Sequence, residues 1–308
     1  MRKGLLCLLA VGLVMGLLLA GCSTESALEQ EEKKPDQDVT IGLSISTLNN
    51  PFFVTLRDEA KKTAEKEGVE LIVADAQNDT AKQINDVEDL MEKNVDLLLI
   101  NPTDSKAVST AVESANQSDI PVITIDREAE GGKVVSHIAS DNVKGGEMAG
   151  EFILNEIGGE GNLVELQGIA GTSAARDRGK GFHEAVDGKK DVKVVASQPA
   201  GFDRAEGLKV MENILQSHSD IQAVFAHNDE MALGALQAIR SAGKDILVVG
   251  FDATDDAVEA VNKGEMGATI AQKPGEIGKI AVRVAAEAAQ GEKVKEFYPV
   301  QLELITEK

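Results

Sequence analysis

Tryptophan is missing from this chain, tyrosine occurs once and phenylalanine eight times. The core must therefore be built mainly from aliphatic side chains, and each phenylalanine is rare enough for its position to carry information. Cysteine is nearly missing too: Cys7 and Cys22 are the only two, both near the start. That excludes a disulfide framework, thiol chemistry and cysteine-bound zinc in the rest of the chain. Positive charge is short, with 31 Lys and Arg against 52 Asp and Glu. Such a balance repels nucleic acid and anionic headgroups, so no nucleic-acid partner is expected. The histidines His137, His183, His218 and His227 have no metal-ligand spacing, and Asp252, Asp255 and Asp256 miss the EF-hand pattern. No P-loop and no GxSxG occurs, and Gly168-Ile169-Ala170-Gly171 is a strand-to-helix turn without the dinucleotide fingerprint. No cofactor, no metal and no enzyme activity are expected.

Long apolar runs are also missing, except at the start. Arg2 and Lys3 precede a nearly unbroken apolar run over 5–19, followed by Leu19-Ala20-Gly21-Cys22. This reads as an export signal, and the run is short for a spanning helix, which needs about 20 residues. Leu-Ala-Gly-Cys resembles a bacterial lipobox, which implies cleavage before Cys22 and diacylation of its thiol. An uncleaved anchor or an ordinary secretory signal is the competing reading. Either way the folded part is expected outside the cytoplasm; with the lipid it sits at the extracytoplasmic face of the cell membrane. Removing residues 1–21 of 308 leaves 287, enough for two domains. Residues 22–38 are polar and charged and read as a lipidated tether.

From Val39 onward, short β-branched or aliphatic runs alternate with longer amphipathic segments. Strands are expected at 39–45, 70–74, 96–100, 121–125, 134–139, 162–166, 192–197, 221–225, 246–250, 267–271 and 298–304. Helices are expected between most of them, at 52–67, 80–93, 105–117, 143–157, 174–187, 203–217, 229–242, 254–263 and 275–290. This alternation predicts an α/β fold with parallel sheets and right-handed crossovers. Eleven strands are many for one doubly wound sheet, so two similar halves are expected. The rhythm breaks near Ser140, where two strands follow each other without room for a helix.

In open parallel sheets, ligands bind at the carboxyl ends of strands. The residues there are planar polar groups (Asn50, Arg127, Arg178, Asn228, Gln272), carboxylates (Asp126, Asp252) and rings (Phe52, Phe53, Phe202, Phe251). Arg only donates, ionised Asp only accepts, and Asn and Gln do both, as sugar hydroxyls require. Two Asp against two Arg suits an uncharged polyol better than a phosphate or carboxylate. Phe52 and Phe53 are adjacent on a helix, so their side chains point about 100° apart. Asn50-Pro51 also reads as a helix entry, and Asp203, Asp229 and Asp255 as helix caps or first-turn acids.

Several segments then resemble the bacterial D-ribose-binding members of the periplasmic binding protein family: 46–53 (STLNNPFF), 120–127 (IPVITIDR), 134–142 (VVSHIASDN), 165–176 (ELQGIAGTSAAR), 228–236 (NDEMALGAL), 248–252 (VVGFD) and 269–272 (TIAQ). The resemblance implies two doubly wound parallel-sheet lobes joined by a three-segment hinge, the type I fold of that family. It places an N-terminal lobe at 39–140 plus 273–301 and a C-terminal lobe at 141–272 plus 302–308. It implies ribose contacts at Asn50, Phe52, Phe53, Asp126, Arg127, Arg178, Phe202, Asn228, Phe251, Asp252 and Gln272, and it favours Arg178 over nearby Arg176. It also implies an ABC importer permease as partner of a monomeric binding protein. The chain departs from the family pattern at His227, in place of Gln, and at Ala253, in place of Gly.

The expected function is therefore capture of D-ribose by hinge closure and delivery to an importer. Another sugar such as allose or galactose is the nearest alternative. A pentose-acting enzyme would need Asp126 or Asp252 as a base. A repressor's sensor domain would need a helix-turn-helix that residues 23–38 cannot form.

Overall fold

The computed structural model describes residues 39–307. Cys22, with the signal and tether expected over 1–38, lies outside the described residues.

The first sheet contains β1 (Thr40–Ile45), β2 (Glu70–Asp75), β3 (Leu97–Ile100), β4 (Val122–Ile125), β5 (Ser136–Ser140) and β11 (Phe297–Val300). Their spatial order is β11-β5-β4-β3-β1-β2, and every neighbouring pair is parallel. The second sheet contains β6 (Gly161–Gln167), β7 (Val192–Pro199), β8 (Ala223–Ala226), β9 (Leu247–Asp252), β10 (Ala268–Ala271) and β12 (Glu303–Thr306). Its order is β12-β10-β9-β8-β6-β7, parallel except where β12 runs against β10. The α/β architecture with two doubly wound sheets is thus present.

Helices cover both faces of each sheet. In the first half these are α1 (Pro51–Glu67), α2 (Thr80–Glu92) and α3 (Ser109–Gln117). In the second they are α4 (Asn142–Glu156), α5 (Ser173–Val186), α6 (Arg204–Ser217), α7 (Asp229–Ser241) and α8 (Asp255–Asn262). A further helix, α9 (Pro274–Ala289), follows β10 of the second sheet yet packs Ile277, Ala281 and Val284 into the core of the first. Burial from both sides is why Leu97–Ile100 reads as a continuous apolar run: all four residues are buried.

The chain passes between the sheets three times: after β5, after β10 and between β11 and β12. The last passage divides what the sequence reads as one strand over 298–304. Gln301 and Leu302 separate two short strands that belong to different sheets. Helix α3 also starts later than its pattern suggests, because Asp104 Oδ1 accepts the amides of Lys106 (2.9 Å) and Ala107 (2.7 Å) in a separate turn.

Helix entries bring polar residues to the strand ends. Asn50 accepts the Phe52 amide at 2.9 Å with Pro51 in the first turn, and Gly68 ends α1 in the left-handed region at φ 70°. Asn228 accepts the Met231 amide at 3.0 Å and opens α7.

Candidate functional site

Residues at and near the carboxyl ends of both sheets converge on one small, nearly closed cavity. The first half contributes Asn50, Phe52, Phe53, Asp126 and Arg127; the second contributes Ala174, Arg178, Phe202, Asn228, Asp252 and Gln272.

The two arginines enter from opposite sides. Arg127 follows β4, donates from Nη1 to the Pro102 carbonyl at 3.0 Å, and lies 5.1 Å from the Phe53 ring and 5.3 Å from the Phe202 ring. Arg178, on α5, donates from Nε to Asn142 Oδ1 at 2.9 Å and from Nη1 to the His227 carbonyl at 2.6 Å. Fixing a guanidinium at several donors leaves its remaining N–H groups aimed into the cavity. Phe52 and Phe53 meet edge to face, with centroids 5.1 Å apart.

Each arginine faces a carboxylate beyond hydrogen-bond reach. Asp126 Oδ2 lies 3.7 Å from Arg127 Nε, and Asp252 Oδ1 lies 3.7 Å from Arg178 Nη1. Asn101 Nδ2 donates to Asp126 Oδ2 at 3.3 Å, and Gln272 Nε2 donates to Asp252 Oδ1 at 2.8 Å. Burial pushes the Arg127 guanidinium down to about 10, against the pull of Asp126. It pushes Asp252 up to about 8, against the pull of Arg178.

Three buried polar atoms at the cavity residues have no protein partner: Asp126 Oδ1, Arg127 Nε and Gln272 Oε1. Buried polar groups are normally satisfied, so two acceptors and a donor left open on one cavity point to a hydroxyl-bearing ligand. Asp126 (φ 62°), Phe202 (φ 59°) and Asp252 (φ 123°) all adopt positive φ, a strained conformation that clusters at ligand sites.

A family model for the periplasmic binding protein domain matches residues 41–293. The chain belongs to the periplasmic binding protein family. It is 53% identical over 310 residues to the ribose import binding protein of Bacillus subtilis, covering 100% of each chain. It is 58% identical over 267 residues to that of Escherichia coli, covering 86% of this chain and 90% of the relative. An ABC transporter solute binding protein from Mycobacterium smegmatis, solved with bound glycerol, superposes with a TM-score of 0.85 at 37% identity. That match covers 88% of this chain and 94% of the other. The family is one of extracytoplasmic binding proteins, not of enzymes.

Of the residues expected at the site, Phe251 alone does not line the cavity. It is fully buried, and its ring lies 3.9 Å below the Arg178 guanidinium carbon. Arg176 points away, exposed and paired with Glu128, Glu130 and Asp177. Sequence reasoning missed Ala174, which lines the cavity, and Asn101 and Asn142, which hold Asp126 and Arg178. Asp229, read as a first-turn acid, is fully buried. It accepts from Thr254 N (2.7 Å), Thr254 Oγ1 (3.1 Å) and Thr269 Oγ1 (2.7 Å), tying α7 to the ends of β9 and β10. Among the described residues no cluster of His, Cys, Asp and Glu has the geometry of a metal site.

Proposed function

We propose that the cavity takes D-ribose and that the protein hands it to the permease of an ABC importer. The open acceptors and donor that face one small cavity carry this reading. The ribose import binding proteins at 53% and 58% identity support the choice of sugar. Asp126, Arg127, Arg178, Asn228, Asp252 and Gln272, with Asn50, bond the hydroxyls. Phe52, Phe53 and Phe202 cover the C–H faces of the ring, and Phe251 supports Arg178 from behind. Micromolar binding corresponds to about 8 kcal/mol. A few charge-assisted hydrogen bonds at roughly 1.5–3 kcal/mol each supply that after the cost of closure.

Closure is a hinge motion between an N-terminal lobe, 39–140 plus 273–301, and a C-terminal lobe, 141–272 plus 302–308. Ribose bridges the two walls and stabilises the closed form, which the permease reads. The protein acts as a monomer without nucleic acid, in keeping with its acidic surplus. Residues 1–21 are the export signal, and Cys22 carries the lipid that holds the protein to the cell membrane through the 22–38 tether. Calorimetry across pentoses and hexoses tests the ligand: D-ribose binds with the highest affinity, and a preference for D-allose or D-galactose overturns the assignment.

A further inference from the structure

Behind the cavity wall of the second half lies a carboxylate that does not line the cavity. Glu165 on β6 is fully buried. His227 Nε2 lies 2.9 Å from its Oε1; Gln167 Nε2 lies 3.1 Å and His183 Nε2 3.4 Å from its Oε2, which Ser197 Oγ also contacts. Burial alone would push Glu165 up, but the bonds from His227 and Ser197 and the charge of His183 hold it down at about 2. A buried carboxylate persists only with such partners.

The hydrogen-bond network assigns the imidazole proton. The amide of Gly168 donates to His227 Nδ1 at 3.3 Å. A backbone amide cannot accept, so Nδ1 is bare and the proton sits on Nε2, which donates to Glu165 Oε1. His227 is itself buried, at 1% exposure.

Both ends of this residue reach the sugar site. Its carbonyl accepts Arg178 Nη1 at 2.6 Å. Its ring holds the turn at Gly168, on which the Phe202 ring lies so closely that a Cβ would overlap the ring. The next residue, Asn228, lines the cavity. One imidazole thus ties together the backbone under Phe202 and the backbone that anchors Arg178.

We infer that His227 is a positioning residue of the sugar site, and that its neutral Nε2–H form makes sugar affinity fall on acidification. This inference rests on the reading of the cavity as a pentose site. The charged and titratable groups that face the ring are Glu165 on β6 and Arg178 and His183 on α5; His227 itself sits in the turn between β8 and α7. Burial pushes the imidazole below its usual 6.5; Glu165 opposes this, while Arg178 and His183 add to it. At pH 7 the ring is neutral. A second proton, on Nδ1, would set a donor against the Gly168 amide and place positive charge beside Arg178.

The test is calorimetry with D-ribose on the intact protein, His227→Gln and His227→Leu between pH 5 and pH 8. Gln presents an N–H to Glu165 and an oxygen to Gly168 but does not titrate. His227→Gln restores the parent affinity at pH 7.5 to within about threefold, whereas His227→Leu weakens it roughly tenfold. From pH 7.5 to pH 5 the parent loses at least about threefold more affinity than His227→Gln, which keeps every other titrating side chain. If His227→Leu does not fold, this pH comparison decides alone. Matching pH profiles in the parent and His227→Gln, or parent-like binding by His227→Leu, overturn the inference and leave the sugar assignment standing. A parent that binds no D-ribose at any pH overturns both.

Discussion

Arg178 lies over Phe251, its guanidinium carbon 3.9 Å from the ring centroid, with Nη1 of the same guanidinium 3.7 Å from Asp252 Oδ1. A ring below and a carboxylate beside it hold the charge in a place from which water is excluded. The same arginine bonds Asn142 and the His227 carbonyl, so the protein itself sets its orientation. Preorganised polar walls of this kind reduce the ordering cost of binding.

Asp252 is the carboxylate most committed to the site. Asp252→Ala removes a hydrogen-bonding carboxyl for the sugar and the group beside Arg178 that Gln272 holds, and weakens D-ribose binding tenfold or more, about 1.4 kcal/mol or above. Calorimetry measures the affinity, and an unchanged circular dichroism spectrum separates this from unfolding.

The two halves also touch each other directly. Ser105 donates its amide to the Gly171 carbonyl at 2.9 Å and accepts the Ser173 amide on Oγ at 3.1 Å. Ser173 Oγ accepts the Glu128 amide at 2.8 Å. Each hydroxyl contributes about 1 kcal/mol to the closed form. Ser105→Ala and Ser173→Ala therefore each weaken D-ribose roughly fivefold in titration, although neither residue lines the cavity. Arg176→Ala, which removes ion pairs to Glu128, Glu130 and Asp177 at the surface, changes affinity less than about twofold.

Gly171 has φ 92°, and a Cβ added there would overlap the Asp104 carboxylate of the opposite half. That carboxylate cannot swing aside freely because it caps the turn at Lys106 and Ala107. Gly171→Ala obstructs closure and lowers ribose affinity by more than about tenfold, with a further cost of about 1 kcal/mol in stability from the positive φ. Affinity and thermal melting, measured together, separate the two effects.

Glu165 links stability to acid. Its folded pKa, held at about 2, lies below the ordinary 4.5. The unfolded chain therefore takes up the proton first as pH falls. The stabilisation is fully present above pH 4.5 and is lost as pH falls toward 2. The melting temperature of Glu165→Gln lies below that of the parent at pH 7, and the gap closes over that acid range.

Cys22 is where the lipid assignment is exposed to test. Cys22→Ser releases the protein from cells into the medium, and mass spectrometry of the parent's N-terminus finds a diacylglyceryl thioether.

Much of the site was legible because strand ends carry it. Asp126 and Gln272 each follow an aliphatic strand directly, and Arg127 and Asn228 come one residue later, so locating the strand locates the ligand side. Phe251 was legible as belonging to the site but not as a support, since its place behind Arg178 depends on where α5 packs. Ala174 has no chemical signature at all. Asn101, Asn142 and Asp229 resemble turn and cap residues, and their roles come from tertiary partners that sequence spacing does not display. The same limit hid the change of sheet between β11 and β12. Val300-Gln301-Leu302-Glu303 keeps its alternation straight through the passage from one half to the other.

The most direct measurement is a crystal structure with D-ribose. The sugar lies between the halves, with its hydroxyls bonded to Asp126 Oδ1, Arg127 Nε and Gln272 Oε1, the buried atoms that the protein itself leaves unpaired. A ribose found outside this cavity, or seated in it while those three atoms stay without a partner, contradicts the account.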